Sequence, residues 1–428
     1  MQTAEPATSH QADGRLHSES TTVAPAAGVG VAPVDGLDVE VVSRSTVSAE
    51  QVAVSLARQI DDFAVDWPML ADPKSALCHA FQTRDFIETW EKTIGRARGS
   101  ELAFIRVGEP GQAGRPLMLL AFEIETKKGV RVLRFVDADV SDYNAPVVFP
   151  WTPDWSKADC LMLWNRILKT LPAVDVLSLE KMPLDVLGAP NPMTALPTKP
   201  WPVSCHRANL HDTWESFAED RVRQSKTHRR YQRGLRRDHD VQYTGSENMD
   251  DAQIAATLEV LFEQKARRFR ETRVPGFEPG DGKHDFYSTM ALASGTRANV
   301  HVSIIKADDS AMATQWGIKF DDRYYYLICG HDVERWAKLS PGRMINEGML
   351  KWCHEQGLKV ADFGIGDEVY KFEFCDQHPV LCSHLSGLTV KGKAFVVGVE
   401  TLKKMRQLTI WQKVRPYKWV VLRALQRK

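Results

Sequence analysis

The run Ser340–Arg343 stands where a loop enters a helix, and its residue types suit the binding of an anion. Ser340 is a common N-cap residue, and Pro341 fits the first helical position, where a missing N–H group costs nothing. Free backbone N–H groups and the positive end of the helix dipole favour a phosphate there. Gly342 lets a ligand approach the backbone, and nearby Arg and Lys residues add positive charge. The alternative is an ordinary strand–helix–strand unit with a well-capped helix.

The elements that position this run are a hairpin before it and a helix and strand after it. The hairpin turns at three polar residues, and the helix has apolar residues at helical spacing before a glycine that suits a left-handed stop. In chain order, the predicted elements are strands over Met312–Phe320 and Tyr324–Cys329, a helix from Pro341 that ends before Gly357, and a buried strand over Val360–Phe363.

Four short runs in this region carry a resemblance to a known family. They are Gly330–Asp332, Ser340–Arg343, Asp362–Gly364 and Gly366–Lys371. In this order they resemble the C-terminal half of the BioF2-like (CelD-type) acyltransferases, which belong to the GNAT superfamily and are related to the FemAB aminoacyl transferases. The resemblance spans roughly Val52 to Val397. Phe374 departs from it, because a Trp or another large residue is expected after the Tyr–Lys pair.

The resemblance implies an α/β fold with tandem GNAT-like domains, each a mixed sheet with flanking helices, the first copy being degenerate. It implies acetyl-CoA or another acyl-CoA as co-substrate, and no metal. The pantetheine arm would lie along the strand before the helix, and the phosphates would lie at the helix start. The corresponding residues are Leu327, Ile328 and Cys329 along the arm, and Leu339, Ser340, Gly342, Arg343 and Met344 around the phosphates.

The resemblance also implies roles in proton transfer. The acceptor amine must lose a proton to a carboxylate, and the leaving thiolate must gain one, commonly from a tyrosine. Glu368 and Asp367 are then the candidate bases and Tyr370 the candidate acid, while Asp332 would orient the acceptor and Lys371 would neutralise charge. Plainer alternatives stay open: a turn residue for Asp367, a core residue for Tyr370 and a surface charge for Lys371.

Composition limits the remaining possibilities. The chain has 428 residues, which suggests two domains, and 43% of them are apolar, enough for large cores. Lys plus Arg and Asp plus Glu both number 55, so bulk charge indicates no particular partner. Seven cysteines without regular spacing fit a reducing cytosol better than a disulfide framework. No apolar run reaches the roughly 18 residues of a transmembrane helix.

The chain divides into four predicted segments by composition. Residues 1–48 form a tail without aromatic residues, for which disorder is expected. Residues 49–200 form a mixed α/β domain that lacks a loop like Ser340–Arg343 and is therefore not expected to bind the donor. Residues 201–400 form the acyltransferase domain, after a Pro-rich linker. Residues 401–428 carry nine Lys or Arg and no acid, a pattern typical of a basic amphipathic helix.

Two charged clusters and one set of metal-type ligands have open interpretations. The acidic cluster Asp137, Asp139, Asp142 and Tyr143 indicates a solvated turn, or else a surface that faces an amine acceptor between the domains. The basic stretch Arg221–Arg237 indicates a solvated helix face, a grip on an anionic acceptor or the CoA 3′-phosphate, or a nucleic-acid contact. Cys375, His378, Cys382 and His384 are zinc-type ligands, but a strand over 380–385 would spread them, so we expect no metal.

The sequence therefore predicts a GNAT-type acyltransferase that acts on an amine, or less readily a hydroxyl, of a sugar or cell-envelope precursor. We expect a cytoplasmic protein, with peripheral contact to the inner face of the membrane through its C-terminal segment or with that helix docked on the body. Nucleic acid is not an expected partner. A FemAB-like transfer from aminoacyl-tRNA and a catalytically inactive acyl-CoA-binding protein of polysaccharide synthesis remain alternatives.

Overall fold

The computed structural model describes residues 43–407 except 75, 112–113, 223–225, 273–276 and 278–279. The predicted N-terminal tail therefore lies outside the described residues as far as 42, and so does the basic C-terminal segment beyond 407. All the described residues belong to one compact unit.

The described residues form a mixed α/β structure, as predicted. The helices are α1 (Arg84–Trp90), α2 (Arg96–Arg98), α3 (Lys157–Thr170), α4 (Trp214–Arg221), α5 (Lys226–Asp238), α6 (Asp251–Thr272), α7 (Lys283–Leu292), α8 (Val333–Trp336), α9 (Pro341–Glu355), α10 (Val369–Phe374) and α11 (Val390–Gln407). The strands are β1 (Ala53–Ala57), β2 (Glu101–Gly108), β3 (Pro116–Lys127), β4 (Val130–Phe135), β5 (Val147–Val148), β6 (Val176–Pro183), β7 (Asp185–Val186), β8 (Ala189–Pro190), β9 (Lys199–Pro200), β10 (Cys205–Asn209), β11 (Val241–Gly245), β12 (Val300–Ala307), β13 (Ser310–Phe320), β14 (Arg323–His331), β15 (Val360–Ile365) and β16 (Leu381–Gly387).

The two large sheets repeat one topology. The first has the order β1-β2-β3-β4-β6-β16-β9, and the second has the order β11-β12-β13-β14-β15-β10. In each, four antiparallel strands are followed by one parallel pair, β4 with β6 and β14 with β15. A helix crosses over within that pair, α3 in the first sheet and α9 in the second. The first half of the chain is therefore a structural counterpart of the second.

The first sheet takes one strand from the second half of the chain. The strand beside β6 is β16, which comes from the end of the described chain, and the strand beside β15 is β10, which directly follows the first half. The border between the sheets accordingly falls between Pro200 and Cys205, but residues 381–387 return to the first sheet.

Tight turns fix the strand registers. Lys128 and Gly129 join β3 to β4 with positive φ at both positions, the conformation of a two-residue type I′ hairpin loop. Asp321 takes a positive φ in the predicted turn between β13 and β14, a conformation that aspartate tolerates.

One hydrophobic core joins the two halves. Phe86 of α1 meets Phe286 of α7 edge to face, with 5.0 Å between ring centroids, and both rings are fully buried. Nearby, the Nδ1 atom of His79 lies 3.1 Å from the Tyr325 hydroxyl of β14. Side chains from both halves thus pack together behind the parallel pair of the second sheet.

Candidate functional site

The start of α9, the predicted phosphate site, agrees with the prediction in part. Pro341 occupies the first helical position, as predicted, and the first turn carries no acidic residue. Ser340 differs from the prediction: its backbone is left-handed, with φ of +51°, and its side chain makes no capping hydrogen bond. The side-chain cap was therefore wrong. The Arg343 N–H bonds to the Ser340 carbonyl oxygen, so of the first-turn N–H groups the one at Gly342 is left to another acceptor.

The equivalent helix of the first half, α3, has a side-chain cap at its start. Ser156 caps α3 with its own hydroxyl, and the Asp159 side chain bonds back to the Ser156 N–H in a capping box. A carboxylate thus already occupies the positive end of that helix dipole, and it would repel a phosphate. The contrast favours α9 as the donor helix.

Among the residues predicted to surround the phosphates, Arg343 is already engaged. Its Nε lies 3.0 Å from Glu347, it pairs with Glu373, and its guanidinium lies 5.0 Å from the ring centre of Phe374. Met344 is buried in a cluster that includes Leu235 of α5. Their side chains therefore stabilise the loop and helix, and only the backbone there is suited to a ligand.

The strands β14 and β15 diverge beside this helix start. They pair in parallel over only three residues, from Arg323 with Val360 to Tyr325 with Asp362. β14 then continues beside β13 to His331, with a bulge that leaves Leu327 without a partner in β13, while β15 continues beside β10. The divergence leaves a wedge whose β14 side carries Leu327, Ile328 and Cys329, the residues predicted to lie along the pantetheine arm.

The structure brings Tyr370, Lys371 and Glu368 together at this wedge. The predicted polar turn contains the short helix α10, which places the Tyr370 hydroxyl 3.4 Å from that of Tyr326 on β14. The buried Lys371 Nζ lies 2.7 Å from the Ile365 carbonyl oxygen and 3.1 Å from Glu368. Burial raises the pKa of Tyr370, so the hydroxyl stays protonated and able to donate.

Asp367 and Asp332 have other partners. Asp367 accepts from the Ser204 N–H and lies 3.2 Å from Nε2 of His206, and these bonds lower its pKa, which disfavours it as a base. Asp332 accepts hydrogen bonds from the N–H groups of Glu334 and Arg335 and so caps α8. Neither carboxylate is therefore available at the wedge without a hydrogen-bond partner.

Two titratable residues of the wedge region were not among the predicted site residues. Lys265 of α6 has a pKa lowered by burial, and Cys329 and Glu368 are among the titratable groups near it. Asp142 reaches from the first half to Gly364 of β15. Asp142 lies in the acidic cluster noticed in the sequence, but only the fold shows which member of that cluster faces the second half.

A buried charged network lies next to Asp142. The Tyr143 hydroxyl lies 2.9 Å from both oxygens of Asp362, and the guanidinium groups of Arg207 and Arg323 lie 3.1 and 3.2 Å from the same carboxylate. His79 stacks on Tyr143, and burial lowers its pKa well below the usual value. This network fixes the loop that carries Asp142 against β15.

The zinc-type residues do not form a metal site. Cys375 is buried in the core beside α9, whereas Cys382 lies in β16 in the core of the first sheet. Within residues 43–407, apart from the gaps given above, no three His, Cys, Asp or Glu side chains converge as metal ligands would. No helix in the described part of the chain combines the length and apolar character that a bilayer crossing requires.

One family profile matches part of the second half. A sequence profile described as "Acetyltransferase (GNAT) domain" matches residues 222–372, from just after α4 into α10. No curated protein sequence matches the chain significantly.

Several solved structures are similar. A conserved protein of unknown function from Bacteroides thetaiotaomicron VPI-5482 has 12% identity and a TM-score of 0.48, over 79% of this chain and 100% of that one. FemX has 10% identity and a TM-score of 0.49, over 72% and 92%. A tandem GNAT protein from the clavulanic acid biosynthesis pathway has 11% identity and a TM-score of 0.42, over 79% and 99%. Residues 222–372 of this mixed α/β chain are therefore similar to a GNAT acetyltransferase domain.

Proposed function

We propose that the chain transfers an acetyl or other acyl group from acyl-CoA to an amine of a sugar or cell-envelope precursor. One observation supports the donor part above all: β14 and β15 separate beyond Tyr325 and Asp362, directly beside a helix start that no side chain caps. The acceptor class follows from the resemblance of Gly366–Lys371 to the CelD-type enzymes.

The proposed donor position uses backbone groups on both sides of the wedge. The pantetheine amides would pair with β14 between Leu327 and Cys329, where β15 no longer occupies its edge. The pyrophosphate would lie at the first turn of α9, where the Gly342 N–H and the helix dipole favour an anion. Tyr370 would then protonate the departing thiolate, because its hydroxyl borders the same wedge.

Isothermal titration with acetyl-CoA and free CoA tests the donor position. Gly342→Glu places a carboxylate at the proposed phosphate site and should abolish micromolar binding. Gly342→Ala should bind as the unchanged protein does, because a Cβ there would approach the His331 ring no closer than 3.6 Å. Gly295→Glu is the matched control, since it makes the same substitution at an exposed turn with open space.

Two outcomes would contradict the proposal. The first is absence of binding of either ligand to the unchanged protein, and the second is full binding to Gly342→Glu. Binding of CoA with no transfer to any amine would instead support the inactive, acyl-CoA-binding alternative.

A second candidate, transfer from aminoacyl-tRNA, is favoured by one observation. Helix α5 has a concave surface lined by four cationic side chains, Lys226, Arg229, Arg233 and Arg236, together with Gln232. Such a surface would neutralise several phosphates, and the affinity would then fall steeply with added salt. Titration of total tRNA at two salt concentrations, with Arg229→Glu and Arg233→Glu together, decides between the candidates. Salt-sensitive binding that this variant loses would favour the tRNA donor.

We also propose that the protein is cytoplasmic and that its C-terminal segment contacts the inner face of the membrane. The support is compositional, because residues 401–428 combine basic and aromatic residues without an acid. Co-sedimentation with phosphatidylglycerol vesicles tests this, with a chain shortened after residue 407 as control. Equal sedimentation of both chains would contradict it.

A further inference from the structure

The Asp142 side chain lies against the second half at the point where β14 and β15 part. Gly364 of β15 has a left-handed backbone, with φ of +65°, and a Cβ atom at this position would overlap the Asp142 Oδ2 atom. The same Cβ would lie 3.4 Å from the carbonyl oxygen of Tyr326 on β14. The carboxylate of the first half therefore occupies the vertex of the wedge, two residues beyond the last β14–β15 pair.

Asp142 differs from the other carboxylates around it. Asp137 bonds to Lys181 at 3.0 Å and to Asn144 at 2.8 Å, and Asp362 is held by the buried network. Among the described residues, no hydrogen bond or ion pair engages the Asp142 carboxylate. Glu368, the other candidate base at the wedge, is paired with Lys371 and has a side chain that is 56% exposed. Asp142 is thus the carboxylate that is free to take a proton at the vertex.

The charges around Asp142 leave it unpaired and close to its titration point at neutral pH. The charged and titratable groups that face it are Lys181 of β6, Lys371 of α10, Asp362 of β15, Asp137 after β4, Tyr287 of α7 and Cys205 of β10. Both lysines are engaged elsewhere, Lys181 with Asp137 and the Ser141 carbonyl, and Lys371 with Ile365 and Glu368. Burial raises the pKa of Asp142 to about 7, in the range where a general base is most effective.

We propose that Asp142 is a catalytic residue that accepts a proton from the acceptor amine, so that the first half supplies the base for a donor held by the second half. This inference rests on the proposed function, because it needs an acyl-CoA in the wedge. The acceptor is accordingly a primary amine that arrives protonated, attracted by a carboxylate that no hydrogen bond or ion pair engages among the described residues.

The proposed reaction conserves protons and electron pairs. The acceptor ammonium gives one proton to Asp142, and the neutral nitrogen attacks the thioester carbon. The carbon–nitrogen bond forms and the carbon–sulfur bond breaks. Of the two protons left on nitrogen, one stays on the amide and one passes to the thiolate through a donor such as Tyr370. Asp142 then releases its proton to solvent.

The test compares Asp142→Asn, which keeps the shape and removes the base, with Asp142→Glu, which keeps the base. Asp139→Asn is the control, because Asp139 lies in the same loop with a side chain that is 84% exposed. Each protein is titrated with acetyl-CoA and assayed for thiol release with D-glucosamine as the probe amine across neutral pH. We expect Asp142→Asn to bind acetyl-CoA within about threefold of the unchanged protein but to lose a factor of about 10²–10⁴ in kcat. In Asp142→Asn the rise of kcat with pH near neutrality should also vanish. Asp142→Glu should restore part of the kcat and part of its pH dependence.

A second measurement does not depend on the acceptor. Infrared difference spectra between the unchanged protein and Asp142→Asn report the titration of this carboxyl group directly, and titration near neutral pH is expected. Titration near the usual value of about 4 would overturn the proposal, as would a kcat of Asp142→Asn within tenfold of the unchanged protein. If the unchanged protein fails to bind acetyl-CoA, the proposed function falls first, and this inference falls with it.

Discussion

The hydroxyl oxygen of Tyr143, in the first half of the chain, lies 2.9 Å from both carboxylate oxygens of Asp362, in β15 of the second half. Arg207 and Arg323 contact the same carboxylate, and all four side chains are largely buried. The hydroxyl and the two cations therefore depend on one buried anion, which joins the halves beside the proposed vertex.

We predict that Asp362→Asn lowers the free energy of unfolding by about 3–5 kcal/mol, because it leaves two buried guanidinium groups without their counter-ion. Tyr143→Phe should cost about 2 kcal/mol, because it removes a hydrogen bond to a charged group. Urea unfolding measures both values. Asp154→Asn is the control: Asp154 pairs with Arg44 on the surface, where an ion pair contributes at most about 1 kcal/mol. Equal effects at positions 362 and 154 would contradict the prediction.

Two glycines with the same backbone conformation should differ in their tolerance of alanine. Gly364 and Gly129 both have positive φ, but a Cβ at 364 would overlap Asp142, whereas the described residues leave open space around position 129. Gly129→Ala should lower the free energy of unfolding by about 1 kcal/mol, because a residue with a Cβ atom is disfavoured in the left-handed conformation. Gly364→Ala should cost at least about 1 kcal/mol more, because its backbone cannot yield without moving the carboxylate. Thermal unfolding of the two variants gives the difference, and similar midpoints would count against the close packing at the vertex.

The two crossover helices should respond differently to loss of the serine before them. Ser156 caps α3 through its side chain, so Ser156→Ala should cost about 1 kcal/mol. Ser340 makes no side-chain cap at α9, so Ser340→Ala should change stability by less than about 0.5 kcal/mol. Chemical denaturation measures both. A larger loss at position 340 would show that its hydroxyl caps the donor helix after all.

His79 should make the fold sensitive to acid. Burial first, and then Arg207 and Arg323, lower its pKa well below the ordinary value of about 6.5. Below that value the unfolded chain binds a proton at His79 that the folded chain does not. The stability contributed by neutral His79 is therefore fully present above about pH 6.5 and is lost as the pH falls. Because one proton is involved, the slope of the free energy of unfolding against pH from His79 cannot exceed about 1.4 kcal/mol per pH unit.

Replacement of His79 by Gln should flatten the fall of stability below that pH in urea titrations. Tyr325→Phe is the matched control, because it removes the hydroxyl 3.1 Å from the imidazole but leaves the ring buried. It should keep the slope. A slope that disappears in Tyr325→Phe and persists in His79→Gln would assign the acid sensitivity to another group.

Much of the second half could be predicted because its local patterns and its tertiary structure agree. The β13–β14 hairpin, α9 and β15 lie within one to three residues of their predicted bounds, since alternation, helical spacing and the stop at Gly357 act over short ranges. The cap of α4 shows the usual limit. Asp212 and Thr213 are both N-cap residue types, and only the structure shows that Thr213 caps the helix.

The candidate site was harder to predict where it depends on distant partners. The sequence cannot show that Asp367 meets His206, that Asp332 caps a four-residue helix, or that Asp142 reaches Gly364, because each pairing follows from how the two halves pack. The acidic cluster was visible, but a solvated turn and a cleft-facing carboxylate have the same residue types. Only the close approach to the left-handed Gly364 of β15 separates Asp142 from its neighbours.

The return of β16 to the first sheet bears on how the chain is made. A ribosome releases β6 long before β16, so the first sheet waits without its sixth strand until nearly the whole of the second half has been synthesised. β10, by contrast, emerges before any of the strands it will join. The second sheet can therefore be completed from its own half, whereas the first cannot. A gene cut between Pro200 and Cys205 would give one polypeptide whose sheet lacks β16 and another that carries this strand with no sheet for it to join.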